Sequence, residues 1–106
     1  GLLSVMGHEV ETEYGGHVAL ERAKRFEPDV VLLDLGMPSV DGFKVCEQLH
    51  AHTWSRQRPY IVALTGWGRE RDLARTKSAG FDAHLVKPVD SEALEKLFQQ
   101  KFGGKQ

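Results

Sequence analysis

The stretch Val30-Val31-Leu32-Leu33-Asp34-Leu35-Gly36-Met37-Pro38-Ser39-Val40-Asp41-Gly42 decides how the rest of the chain is read. Four consecutive apolar residues, β-branched at the start, end abruptly in Asp34, and Pro38, Asp41 and Gly42 supply turn chemistry immediately afterwards. A short apolar run bounded by turn residues reads as a strand buried on both faces, the situation of an inner strand in a parallel sheet. Asp34 then stands at the carboxyl end of that strand, where open α/β sheets gather ligands and chemistry.

Two further segments repeat the pattern with a different polar group at the stop. Tyr60-Ile61-Val62-Ala63-Leu64 ends in Thr65-Gly66, and Ala83-His84-Leu85-Val86 ends in Lys87-Pro88. With all three strands parallel, Asp34, Thr65 and Lys87 converge on one edge of the sheet. A carboxylate, a hydroxyl and an ammonium side by side suit a phosphoryl group, which the first accepts and the other two bind. Taken singly, Asp34 reads as a strand-end cap and Lys87-Pro88 as an ordinary turn. The matching positions of the three favour a site.

Between these strands the pattern is helical. Leu2, Leu3, Val5 and Met6 read as the last turn of a helix closed by Gly7. Glu9 to Glu13, with Val10 and Thr12 between charges, reads as an exposed edge strand, and Gly15-Gly16 as a turn. A helix is expected over His17 to Phe26, with Ala19, Leu20, Ala23 and Phe26 on one face, stopped by Pro28. Asp41 is an N-cap for a helix from Gly42 to about His52 that carries Phe43, Cys46 and Leu49 at helical spacing. The run 52–59 is a polar surface loop. Arg69 to Ala79 forms a mostly charged, weakly anchored helix ended by Gly80. Asp90 caps a last helix, Ser91 to Phe102, with a core stripe of Leu94, Leu97 and Phe98, and residues 103–106 form a frayed tail.

A chain of 106 residues predicts one domain spanning 1–106, and its net charge of −1, with both signs interleaved, predicts neither a nucleic-acid footprint nor an anionic membrane partner. The single Cys46 excludes an internal disulfide, suits a reducing compartment and reads as a small core residue. No apolar run approaches transmembrane length. His8, His17, His50 and His52 are scattered, and an i, i+2 pair on a helix points in different directions, so no metal site is expected there. Of the two tryptophans, Trp54 and Trp67, the latter follows the Thr65-Gly66 turn and is the better candidate for a partner contact.

The segments DLGMPSVDG, ALTG and HLVKP, in this order and with helices between them, resemble the receiver domain of two-component response regulators over about Leu2 to Phe102. The resemblance implies an α/β, flavodoxin-like (CheY-like) doubly wound parallel sheet with helices on both faces and strand order 2-1-3-4-5. It implies that Asp34 is the phosphoacceptor, Thr65 the switch hydroxyl and Lys87 the ion-pairing partner, with a cis Lys87–Pro88 peptide. It also implies Mg2+ as cofactor, held by Asp34, the Gly36 backbone carbonyl and an acidic pair. His84 occupies the place of a switch aromatic, and reads equally as a solvent-facing residue. The implied partner is a histidine kinase or histidine phosphotransfer domain, and the implied role is a cytoplasmic signalling module rather than a stand-alone enzyme. ALTGWG and GFDAHLVKPVD resemble receivers of hybrid sensor histidine kinases.

One departure stands against the family pattern. Receivers open with a hydrophobic strand ending in the acidic pair, and nothing in Gly1 to Glu13 matches it. A first residue of Gly rather than Met reads as a fragment. The missing strand is expected to leave a gap in the sheet, to be filled by further residues or by another copy through homodimerisation or strand exchange. The absent pair keeps open a receiver-like interaction module that no longer takes phosphate. A flavodoxin-like or aspartyl-phosphate hydrolase domain is disfavoured, because Gly36 stands where such hydrolases place a second aspartate and no Gly-rich phosphate loop is present.

Overall fold

The computed structural model describes residues 2–5, 7–13, 16–36, 41–66 and 70–102. Pro38, Trp67 and the 103–106 tail lie outside the described residues, as do Met6 and Gly15. In chain order the elements are β1 (Leu2–Val5), β2 (His8–Glu13), α1 (Gly16–Phe26), β3 (Val30–Asp34), α2 (Gly42–Ala51), β4 (Tyr60–Thr65), α3 (Glu70–Ala79), β5 (Ala83–Val86) and α4 (Ser91–Phe102). The five strands form one sheet in the order β1-β2-β3-β4-β5. β2 to β5 run parallel, and β1 is antiparallel to β2.

β3 is buried along its whole length, as its uninterrupted apolar run requires, and its alternate residues serve two cores. Val31 and Leu33, with Ile61 and Ala63 of β4, pack against Ala19, Leu20 and Ala23 of α1 and Val45, Cys46 and Leu49 of α2. Val30 and Leu32, with Val10 and Val62, pack against the fully buried Phe98 of α4. Helices therefore cover both faces.

Local chemistry fixes the helix ends. Asp41 accepts from the backbone N–H groups of Phe43 and Lys44 at 3.1 and 3.2 Å, the N-cap geometry. Gly80 closes α3 at φ +103°, with Gly80 N–H donating to the Lys77 carbonyl and Phe81 N–H to that of Thr76, the paired bonds of a Schellman end. Asp90 accepts from Ala93 N–H at 2.8 Å at the start of α4.

The amino-terminal reading is corrected. Leu2–Val5 is a strand, not the end of a helix, and Gly7, at φ +82°, belongs to the tight turn that pairs Val5 with His8. Four residues are too few for helical and strand periods to separate, and glycine serves both a helix end and a hairpin turn. Residues 9–13 do form a strand but not an edge: β2 lies between β1 and β3, and Glu11 is fully buried, with its Oε2 3.0 Å from Arg22 Nε of α1. The middle charge of the alternation is held in a cross-element ion pair, while Glu9 is exposed. No gap opens beside β3, because Val10, Glu11, Thr12 and Glu13 pair directly with Val30 to Leu33, so the strand order is sequential rather than 2-1-3-4-5.

Phe26 also departs from expectation. It is 41% exposed at the last position of α1, where the chain turns through Glu27 at φ +46°, and the Arg22 and Arg25 guanidinium groups lie over its ring at 5.2 and 5.4 Å. The 52–59 loop is better tied than its polarity suggested. Trp54 Nε1 donates to the Leu49 carbonyl at 3.0 Å, and Arg58 forks onto Asp82, whose Oδ2 also accepts from Ile61 N–H at 2.8 Å. α3 is held through buried Thr76 and through Arg75, 4.0 Å over the Phe43 ring.

Candidate functional site at the carboxyl edge of the sheet

The register sets the three strand ends on a diagonal. Asp34 is level with Leu64, so Thr65 lies one residue further along β4; Thr65 is level with Val86, so Lys87 lies one residue beyond β5. Backbone bonds continue past the ladder, from Leu35 N–H to the Leu64 carbonyl at 2.9 Å and from Lys87 N–H to the Thr65 carbonyl at 2.8 Å. The Lys87–Pro88 peptide is cis.

Asp34 and Lys87 meet directly. Lys87 Nζ donates to Asp34 Oδ1 at 2.9 Å and to Oδ2 at 3.0 Å. The carboxylate side chain is only 5% exposed and the lysine 38%, so the charge is buried on one side of the pair and reached by water on the other. Gly36 N–H donates to Oδ1 at 2.7 Å, a two-residue side-chain turn that holds the carboxylate at the strand end. Thr65 is buried, and its hydroxyl donates to the Leu85 carbonyl at 3.5 Å, at the weak limit of a hydrogen bond and easily exchanged.

Two glycines are closely fitted to neighbouring side chains. A Cβ on Gly36 would lie 2.9 Å from Lys87 Nζ and 3.2 Å from Asp34 Oδ1. One on Gly42 would run into Leu35 Cδ2, where the start of α2 closes on the residue after Asp34. Sequence reasoning singled out Gly36 for its carbonyl; its N–H and its lack of a side chain matter as much here. It did not single out Arg58 and Asp82, which join the loops before β4 and β5 and hold those strands in register; an acid and a base in separate loops carry no spacing signal.

His84 stands apart from the ion pair. It is exposed on β5 and lines, with Thr76, Lys77, Phe81 and Leu97, a cavity of about 750 Å³. Among the described residues, the donor set at Asp34 does not fit a resident magnesium ion. Such an ion takes an octahedron of oxygens. Here both oxygens of Asp34 face an ammonium, and among the described residues no group of three or more His, Cys, Asp or Glu side chains is placed to hold a metal.

Known proteins resemble this chain over most of its length. The chain is 36% identical over 96 residues to the signal transduction histidine-protein kinase BarA of Shigella flexneri, a match covering 91% of this chain and 10% of that protein. It is 33% identical over 103 residues to protein PilH of Pseudomonas aeruginosa, covering 97% of this chain and 84% of PilH. The chain thus spans about a tenth of the length of BarA. The structure of a CheY-like response regulator receiver domain from Methylobacillus flagellatus superposes with a TM-score of 0.70 at 30% identity, over 83% of this chain and 72% of that one. Residues 1–99 match the response regulator receiver domain family, and on the combined evidence of sheet, strand-end residues and relatives the chain belongs to that family.

Proposed function

We propose that this chain, as a single receiver unit, accepts a phosphoryl group on Asp34 from the phosphohistidine of a kinase or histidine phosphotransfer domain. The observation that carries the reading is the Asp34–Lys87 contact at 2.9 and 3.0 Å, with Thr65 at the intervening strand end. An Asp34 oxygen attacks phosphorus in line; the P–O bond forms as the P–N bond breaks, and the imidazole nitrogen leaves with the electron pair and takes up a proton. Lys87 follows the charge from the carboxylate to the phosphoryl oxygens. Gly36 N–H remains as a second donor, and the Thr65 hydroxyl exchanges its long bond to Leu85 for a phosphoryl oxygen, drawing its loop inward. The result is a population shift biased by local electrostatics. The surface of α3, β5 and α4 responds to that shift, and the cavity lined by His84 lies between these elements.

Relatives that include a histidine kinase and other two-component regulators support a signalling role, and among the described residues no helix is long and apolar enough to cross a membrane. A cytoplasmic module belongs to this reading. Intact-mass spectrometry with acetyl phosphate, with and without Mg2+, tests it: the gain of one phosphoryl group, absent in Asp34→Asn, is expected. A folded chain that never gains it would overturn the proposal. The donor set around Asp34 then favours the second reading, a receiver-like docking module that takes no phosphate.

A further inference from the structure

We infer that the carboxyl edge around Asp34 in this chain is not a divalent-cation site, and that Lys87 is the counter-cation the carboxylate uses instead. The first observation is the state of the carboxylate itself. Oδ1 accepts from Lys87 Nζ at 2.9 Å and from Gly36 N–H at 2.7 Å, and Oδ2 accepts from the same ammonium at 3.0 Å. A hard divalent ion must approach such oxygens to roughly 2.0–2.6 Å and gather six or more oxygen ligands. Placed there, it would share a single carboxylate with an ammonium already seated on both oxygens, a like-charge approach that has no compensating anion among the described residues.

The second observation is topological. A strand that brought more carboxylates alongside Asp34 would have to pair with β3, and both edges of β3 are taken, by β2 and by β4. β4 supplies Thr65. Among the described side chains, β2 supplies Glu11, level with Val31, three residues short of Asp34, and its Oε2 is 3.0 Å from Arg22 Nε. β2 then ends at Glu13, level with Leu33 rather than with Asp34.

The inference departs from the metal that the family resemblance implies, and it holds whether or not Asp34 accepts phosphate. A phosphoryl group arriving here would meet one ammonium, one hydroxyl and one backbone N–H as its described donors, so among the described residues charge neutralisation would fall to Lys87.

The test is a binding experiment read by NMR on the whole 15N-labelled chain, with Mg2+ and Mn2+ as the probes. Gly36 N–H is the reporter, because it is bonded to Asp34 Oδ1. Lys87→Gln is expected to move the Gly36 amide resonance, since it takes the charge off the same oxygen. Mg2+ up to about 10 mM, well beyond the affinity of weak oxygen-ligand sites, is expected to leave that resonance in place. Mn2+, which suits the same ligands, is expected to broaden it no more than amides on α4. A saturable Mg2+ shift at Gly36 that Asp34→Asn abolishes would overturn the inference, whichever carboxylate supplied the second ligand. A Gly36 resonance unmoved by Lys87→Gln would overturn the assignment of Lys87 as counter-cation. The wild-type titration needs no variant to fold, and failure to phosphorylate Asp34 leaves its reading unchanged.

Discussion

Gly36 and Lys87 are fitted to one another: a methyl group added to Gly36 would sit 2.9 Å from the lysine Nζ, so the ammonium reaches Asp34 only across a residue that has no side chain. Gly36→Ala should therefore push the flexible end of Lys87 off the carboxylate while leaving the fold intact. The expected loss in the rate of phosphoryl acceptance is about tenfold, equivalent to about 1.4 kcal/mol of barrier, measured by the time course of mass gain with acetyl phosphate. An unchanged rate would show that the lysine does not act from this position.

Removing the two members of the ion pair should have unequal effects on stability. Lys87→Ala leaves a nearly buried carboxylate without its counter-charge and should cost about 1–3 kcal/mol, less than a fully buried pair because water reaches the lysine side. Asp34→Asn frees an ammonium that water can solvate, and should cost under about 1 kcal/mol. Urea unfolding of both single variants and the double variant checks this, and the double variant should recover most of the loss in Lys87→Ala.

The Arg58–Asp82 pair yields a second ordered comparison. Asp82→Ala strands the Ile61 N–H at the start of the buried β4 as well as Arg58, and should cost about 1–3 kcal/mol. Arg58→Ala removes a half-exposed partner and should cost about 0.5–1 kcal/mol. The reverse order in thermal or urea unfolding would contradict the role given to the Ile61 hydrogen bond.

Alkaline pH should act through Cys46. Burial pushes its thiol from 9.0 up to about 11, so the thiolate is disfavoured in the folded chain. With the folded value above the unfolded one, this stabilisation is complete below pH 9 and is lost as pH rises through about 11. Cys46→Ala should flatten that part of the stability profile, and Ellman's reagent at pH 8 should find the thiol unreactive until the protein is unfolded. Tyr60, raised in the same direction by burial, adds to the loss at the upper end.

Phe98 should be the most sensitive core position of α4. It is fully buried against Val10, Val30, Leu32 and Val62, and Phe98→Ala should cost about 3–5 kcal/mol in urea unfolding.

The inner sheet and the site were legible because they rest on the strongest local signals. The apolar runs of β3, β4 and β5 each stop at one polar residue, and the parallel register then brings those stops together. Asp41, Gly80 and Asp90 marked helix ends by chemistry that acts within a few residues. The first hairpin was not legible, since Leu2–Val5 carries no period and Gly7 suits either ending. Glu11 was misread because its partner, Arg22, lies on another element, and alternation alone does not say which charges are buried. Phe26 fell on the apolar side of α1, yet the chain leaves the core just where its ring would enter.

The backbone bond from Lys87 N–H to the Thr65 carbonyl gives the site a mechanical character. Thr65 and Lys87 hang from one shared peptide contact, so a displacement of either backbone is transmitted to the other. Lys87 follows immediately on β5, the terminal strand of the described sheet, which has a neighbouring strand on only one side. A pull that originates at Asp34 therefore reaches an edge strand of the sheet, and its output is motion of that edge rather than strain in the core.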